Sequence, residues 1–469
     1  MPHDFAAGFA SQLHESPHTP LPLQGRLPDW LQGTLVRNGP AQFEVGTDRY
    51  LHWFDGLAML HAFSINAGSV TYTNRFLRGH SWRQANAEGR IRYQEFATDP
   101  CGSRFWRIVS RFFRKPTDNC CVNVSRLANR FVALTETPLA IEFDSQSLET
   151  LGDFRFHDSL KGQLTTAHPH YDGARRESIN YLTCFGRKNA YNIYRLPDGS
   201  ATRQRLCRYE VREPAYMHSF GMTPRYVVLA EFPLRVSPWR LLFSGRPFIE
   251  NFRWTAEDPT RFLVFERDSG KLRGIWETEA FMAFHHVNAW ERGDEVVLDL
   301  CTYPDASVIH DLYLDELREP THPAPQPEFR RYVLEADGTT RWERLGDDSL
   351  ELPRIHYSRV NGQEYRYAYG VGLTPDVPST AASRLVKLDT HDGTSTIWSE
   401  PHCYPGEGVF IPRPDATAED AGLVLSVVLD GTQGTSFLLV LDGETFQEQA
   451  RAVVPQHIPF GFHGQFFRG

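Results

Sequence analysis

Four histidines, His168, His218, His285 and His463, carry the side chains and the settings that metal chemistry needs. They lie in the stretches TTAHPHYD, AYMHSFGMT, MAFHHVNAWE and PFGFHGQFF, separated by 50, 67 and 178 residues. At that spacing no two can share a helix or a turn, so only a closed fold can bring them to one point. An all-imidazole donor set without a carboxylate suits a borderline divalent ion such as iron or zinc. The chain is therefore a candidate oxygen-handling metalloenzyme. His168 precedes Pro169, which restrains it to extended backbone. Gly464 follows His463 directly and Gly221 lies three residues after His218, which permits tight backbone at both places. His170 and His286 are the competing neighbours. In a regular strand His286 faces away from His285.

The elements that must position these residues read as strands. Short β-like runs recur from GTLVRNG (33–39) and MLHAFSI (59–65) through RYVVLAEF (225–232) and EVVLDLCTY (295–303) to TSFLLVLD (435–442). Turn signals such as PDG at 197–199, DSG at 268–270 and HDG at 391–393 punctuate them. Many hairpins with regular turns and few helical stretches predict an all-β propeller or large barrel. No strict short repeat is present, so the pattern alone leaves the blade count open. A propeller would explain the histidines, because the inner strands of successive blades converge on one axis. The chain reads as one domain over 1–469, with 1–24 as an N-terminal extension. The Pro-rich stretch 318–329 reads as a long surface loop.

Composition narrows the function classes. A net charge of −9 argues against nucleic acid as the main partner. The seven cysteines form no CxxC pair, so neither a zinc knuckle nor a disulfide framework is expected. No basic-then-apolar leader opens the sequence, and no apolar run is long enough to span a bilayer. These features predict a cytoplasmic protein with reduced thiols. Residues 105–115, FWRIVSRFFRK, add the expectation of a membrane-surface contact. On a helix Phe105, Val109 and Phe112 share a face with Trp106 and Phe113 alongside, and Arg107, Arg111 and Arg114, with Arg104 just before the stretch, fall on another. That is the pattern of a basic amphipathic helix lying in a bilayer interface. The segment 233–248 has a similar mix.

The motifs LQGTLVRNGPAQFEVG, HWFDGLAMLHAF, TTAHPHYD, HSFGMTPRYVV, FHHVNAWE, ELPRIHY, AYGVG and FHGQFF together resemble the carotenoid cleavage oxygenase family, and within it the animal branch. The resemblance runs from about residue 25 to the end of the chain. It implies a seven-bladed β-propeller capped by loops and short helices over an axial metal site. It further implies Fe(2+) held by His168, His218, His285 and His463, with Glu136, Glu351 and Glu407 accepting from the far nitrogens of His218, His285 and His463 in that order. Thr135 matches a threonine beside an open iron position. The activity implied is O2-dependent cleavage of a carbon–carbon double bond in a carotenoid or apocarotenoid, an apolar polyene. Other readings are stilbene-type alkene cleavage, oxygen-independent retinoid isomerisation and non-catalytic carriage of an apolar ligand. The motif HWFDGLAMLHAF differs from that of the stilbene-cleaving enzymes.

Overall fold

The computed structural model describes residues 4–100, 103–110, 116–320, 322–374 and 381–468. Seven antiparallel sheets of four to six strands surround one axis and form a seven-bladed propeller. Two further two-stranded ribbons lie outside the blades. Within a blade successive strands pair as hairpins, for example Glu177–Cys184 with Asn189–Pro197, and Met282–Arg292 with Glu295–Tyr303.

The burial pattern follows from this architecture. A middle strand has both faces covered by neighbouring blades, so it reads as a continuous apolar run and not as an alternation. Tyr226–Glu231 is buried at every position. The outermost strand Thr340–Arg344 is exposed at four of its five positions. The cores lie between blades. One cluster packs Val228, Ala230, Phe262 and Val264 of one blade on Leu298, Leu300, Tyr332 and Leu334 of the next.

Ring closure is made by both ends of the chain. The last strand, Gly464–Arg468, pairs antiparallel with Gly33–Gln42, and Leu23–Gly25 pairs with Glu448–Val454. Thr19–Pro20 adds to Ser69–Phe76, and Phe5 and Phe9 are buried. From residue 4 onward the N-terminal segment is thus packed on the propeller.

Buried asparagines tie one blade to the next near the axis. Asn38 Nδ2 donates to the carbonyls of Cys120 and Asn123, and Asn123 Nδ2 donates to Ala167 O. Asn288 Nδ2 donates to Val360 O and Gln363 O. An amide that spans two chains fixes the backbone of both, because a buried carbonyl left alone would be costly. The Asn123 bond sets the residue just before His168.

Candidate metal centre

Each of the four histidines sits on or beside the inner strand of a different blade. His168 lies between Leu164–Thr165 and His170–Asp172, and His218 precedes Gly221–Met222. His285 lies within Met282–Arg292, and His463 precedes Gly464–Arg468. One nitrogen from each converges so that all four lie within 4.8 Å of one another. His168 Nε2 is 3.0 Å from His218 Nε2, and His285 Nε2 is 3.2 Å from His463 Nε2.

Local backbone features aim these rings. The register of Met282–Arg292 shifts on either side of His286, and such bulges redirect side chains. Thr166 Oγ1 donates to His218 O and accepts from His168 N, which links the first two histidines. Gly464 is required by space: a Cβ there would lie 2.5 Å from Val36 O and 2.6 Å from Arg37 Cδ.

Three carboxylates receive the far sides of the rings. His218 Nδ1 donates to Glu136 Oε1 at 2.7 Å, His285 Nδ1 to Glu351 Oε2 at 2.6 Å and His463 Nδ1 to Glu407 Oε1 at 2.8 Å. A carboxylate only accepts, so Nδ1 carries the proton in all three and Nε2 is a bare lone pair. The contact between His285 and His463 then sets two lone pairs 3.2 Å apart with no hydrogen between them. That arrangement is repulsive unless a cation lies among the nitrogens. Neighbouring donors about 2.1 Å from one ion would stand roughly 3 Å apart. The donor set therefore fits a divalent ion.

The carboxylates differ in their other partners. Glu136 Oε1 also accepts the Tyr216 hydroxyl at 2.9 Å. Glu351 Oε2 also accepts Leu352 N at 2.6 Å, at a residue whose φ is +49°. Glu407 is fully buried, pairs with Arg37, accepts Gly464 N at 3.0 Å and lies 3.6 Å from Arg354. Burial pushes Glu407 up, but Arg354, Arg37 and His463 together hold it well below the usual carboxylate range. Burial is opposed in the same way at Glu351, which His285 and Leu352 N carry below its ordinary value. Burial and the three facing imidazoles keep His168 well below the ordinary histidine range. His463 is lowered by burial to about 4, although Glu407 works against the shift.

The two neighbouring histidines are used otherwise. His170 places its ring nitrogens 3.0 Å from the Tyr357 hydroxyl and 2.8 Å from Phe220 O. His286 meets Ser219 Oγ at 2.8 Å. Neither belongs to the converging set.

The cluster opens into a cavity of about 1110 Å³ whose wall includes Thr135, Glu136, His218, His285 and His463. Aromatic rings build its inner end. Phe54 and Phe284 lie 6.5 and 5.6 Å from the His218 ring, and Phe462 lies 5.2 Å from Phe54. Sequence reasoning gave these rings no role, although Phe54, Phe284 and Phe462 each fall inside one of the motifs quoted above. It also missed the roles of Arg37 and Tyr216, although both fall inside stretches quoted above. Part of the Pro-rich stretch corrects the surface-loop expectation: Ala324, Pro325 and Pro327 line the cavity. The cap expected over the axis includes the short helices Val308–Asp311 and Leu314–Arg318, both of which contribute wall residues.

Phe105 is 65% exposed on the helix Arg104–Ser110, which also carries Trp106. Phe112 and Phe113 lie outside the described residues. The second segment forms the helix Pro238–Phe243, with Trp239 71% and Phe243 51% exposed. Trp239 and Leu242 are exposed and also line the cavity, so they stand at its mouth. No helix among the described residues is long and apolar enough to cross a membrane.

The family model described as retinal pigment epithelial membrane protein matches residues 9–468. The chain belongs to this family, the carotenoid oxygenases, and to its dioxygenase class. It is 34% identical to the carotenoid-cleaving dioxygenase, mitochondrial, of Macaca fascicularis, over 94% of this chain and 90% of the relative. It is also 34% identical to the carotenoid isomerooxygenase of Galleria mellonella, over 95% of this chain and 92% of that protein. Among solved structures, cobalt-substituted apocarotenoid oxygenase of Synechocystis superposes with a TM-score of 0.90 at 25% identity, covering 99% of this chain and 98% of that one.

Proposed function

We propose that His168, His218, His285 and His463 hold Fe(II) and that the protein uses O2 to cleave one carbon–carbon double bond of a carotenoid or apocarotenoid. The overall change adds both atoms of O2 across the bond and leaves two carbonyl products. The observation that carries this reading is the facing pair of bare nitrogens on His285 and His463 at the wall of a large, aromatic-ended cavity. The bound metal would supply O2 activation. The relatives named for carotenoid cleavage support the substrate class.

The chain's own residues do the remaining work. Glu136, Glu351 and Glu407 keep a proton on Nδ1 of three rings, so the Nε2 lone pairs stay available to metal. They also offset the charge of an ion held by four neutral ligands. Phe54, Phe284 and Phe462 exclude water and give a flat polyene surfaces to lie against. The cavity volume lies above the usual range for small-molecule pockets, as a long substrate requires. Thr135, next to Glu136 in the cavity wall, would restrict one free position on the bound metal. Phe105, Trp106, Phe112 and Phe113, together with Trp239 and Phe243, rest on a membrane surface from which the polyene enters.

The test is anaerobic loading with Fe(II), followed by β-carotene or apocarotenals under 18O2, with products read by mass. Labelled aldehydes or ketones from one double bond are expected. An isomerised alcohol formed without O2, or tight polyene binding with no consumption of O2, would refute the assignment.

A further inference from the structure

The cavity wall carries a carboxyl group that the metal chemistry leaves unused. Glu95 is 6% exposed and lines the cavity between Gln94 and Phe96. Phe96 packs on Phe54 at 5.3 Å, and Phe54 lies against His218, so Glu95 belongs to the wall that leads to the histidines. Its Oε1 accepts the Thr117 hydroxyl at 2.7 Å. No hydrogen bond from a described residue reaches its Oε2, and that atom is not sealed in the protein interior. Oε2 is therefore the Glu95 oxygen available to a molecule in the cavity.

The protonation state follows from the surroundings. Burial, with Asp55 and Asp118 nearby, raises the Glu95 carboxyl well above the carboxylate range, and the Thr117 bond opposes this only in part. Asp55 is itself raised by burial to about 7. The oxygen that receives the Thr117 hydroxyl acts as the carbonyl oxygen, which leaves the acid proton on Oε2.

We propose that Glu95 is a specificity-determining residue whose Oε2–H donates to an oxygen atom on the polyene, selecting substrates with a hydroxyl or carbonyl group over the plain hydrocarbon. The inference rests on the polyene reading of the cavity. A hydrocarbon would leave this buried donor unpaired. A site built to hydrogen-bond its substrate discriminates against an analogue that lacks the group.

The experiment compares kcat/KM for an apocarotenal or hydroxylated polyene and for a hydrocarbon of equal length, using iron-loaded wild type, Glu95→Leu and Glu95→Gln. Wild type is expected to favour the oxygenated member about 10- to 100-fold. Glu95→Leu should remove that preference through KM, and Glu95→Gln, which keeps an N–H donor, should restore most of it. The visible absorption maximum of anaerobically bound apocarotenal gives a second readout. A red shift on binding to wild type and to Glu95→Gln, absent with Glu95→Leu, supports a hydrogen bond to the carbonyl. Equal losses on both substrates in Glu95→Leu would mark a structural role and overturn the proposal. Wild type that prefers neither substrate overturns it without recourse to any variant. Failure of wild type to consume any polyene would overturn the cavity reading, and this proposal with it.

Discussion

Glu407 is the carboxylate whose replacement should tell most about the histidine cluster. Its two oxygens accept from His463 Nδ1, Gly464 N and Arg37, all of them buried. Glu407→Gln keeps the shape but supplies one acceptor and one NH2 group. Two of the three donors, Gly464 N and Arg37, share Oε2, so the amide oxygen should take that place. The NH2 then faces His463 Nδ1, where two hydrogens would collide unless the imidazole proton moves to Nε2. That tautomer has no lone pair on Nε2, the nitrogen that faces the cluster. Iron affinity should fall about 10- to 100-fold, as for the loss of other groups that orient metal ligands. The same change leaves the Arg37 guanidinium buried without its anion, which costs about 3–5 kcal/mol of folding stability when a buried pair is broken. The assays are iron competition against a chelator and urea unfolding of the metal-free protein. Arg37→Met added to Glu407→Gln separates the two effects, since it should recover stability and leave iron binding weak. Unchanged iron affinity in Glu407→Gln, or recovery of affinity in the double variant, would refute this reasoning.

Further expectations concern the ligands, the membrane face and pH. Alanine at any one of His168, His218, His285 or His463 should remove most bound iron, measured by metal analysis, and nearly all turnover. Alanine at His170 or His286 should retain iron, with His170→Ala losing about 1–3 kcal/mol of stability because Phe220 O is left unpaired. Phe105→Ser combined with Trp239→Ser should cut liposome sedimentation and turnover of membrane-dissolved polyene, while a short soluble apocarotenal is cleaved as before. Added salt should weaken the wild-type sedimentation if arginines contribute. Burial lowers His52 and His61 to about 3 each. Their folded values lie below the unfolded one, so the stability they contribute is present above pH 6.5 and is lost as pH falls from there toward 3. These two groups should together contribute up to two protons taken up on unfolding in that window, and so at most about 2.7 kcal/mol per pH unit, to the slope read from urea midpoints at successive pH values.

The residue types carried the chemistry in advance of any fold. His168, His218, His285 and His463 stood out because each sits in a distinctive local stretch of aromatic and small residues. The repeated hairpin turns pointed to a closed β architecture, since period and turn chemistry are local properties that a single chain displays. The glutamates were legible only through the resemblance of whole motifs: nothing in the residues around Glu136 (134–138) or Glu407 (404–410) says which imidazole it will meet. Which nitrogen carries the proton became definable only when ring and carboxylate were seen at bonding distance.

The remainder is long-range. Arg37 lies 370 residues from Glu407 along the chain, and closure of the ring by Gly464–Arg468 on Gly33–Gln42 is what joins them. The separation of His170 and His286 from the converging histidines beside them depends on bulges and on partners such as Tyr357 and Ser219, supplied by other parts of the chain. The Pro-rich stretch has a loop's composition, yet its prolines complete a cavity wall, because packing against the cap and not composition decides which side of a loop is dry. Sequence determined the donors, the strand-rich architecture and the apolar character of this protein. Tertiary structure decided which donors face one another, which proton each ring holds and where the polyene can lie, because each of those depends on distances between residues that the chain keeps far apart.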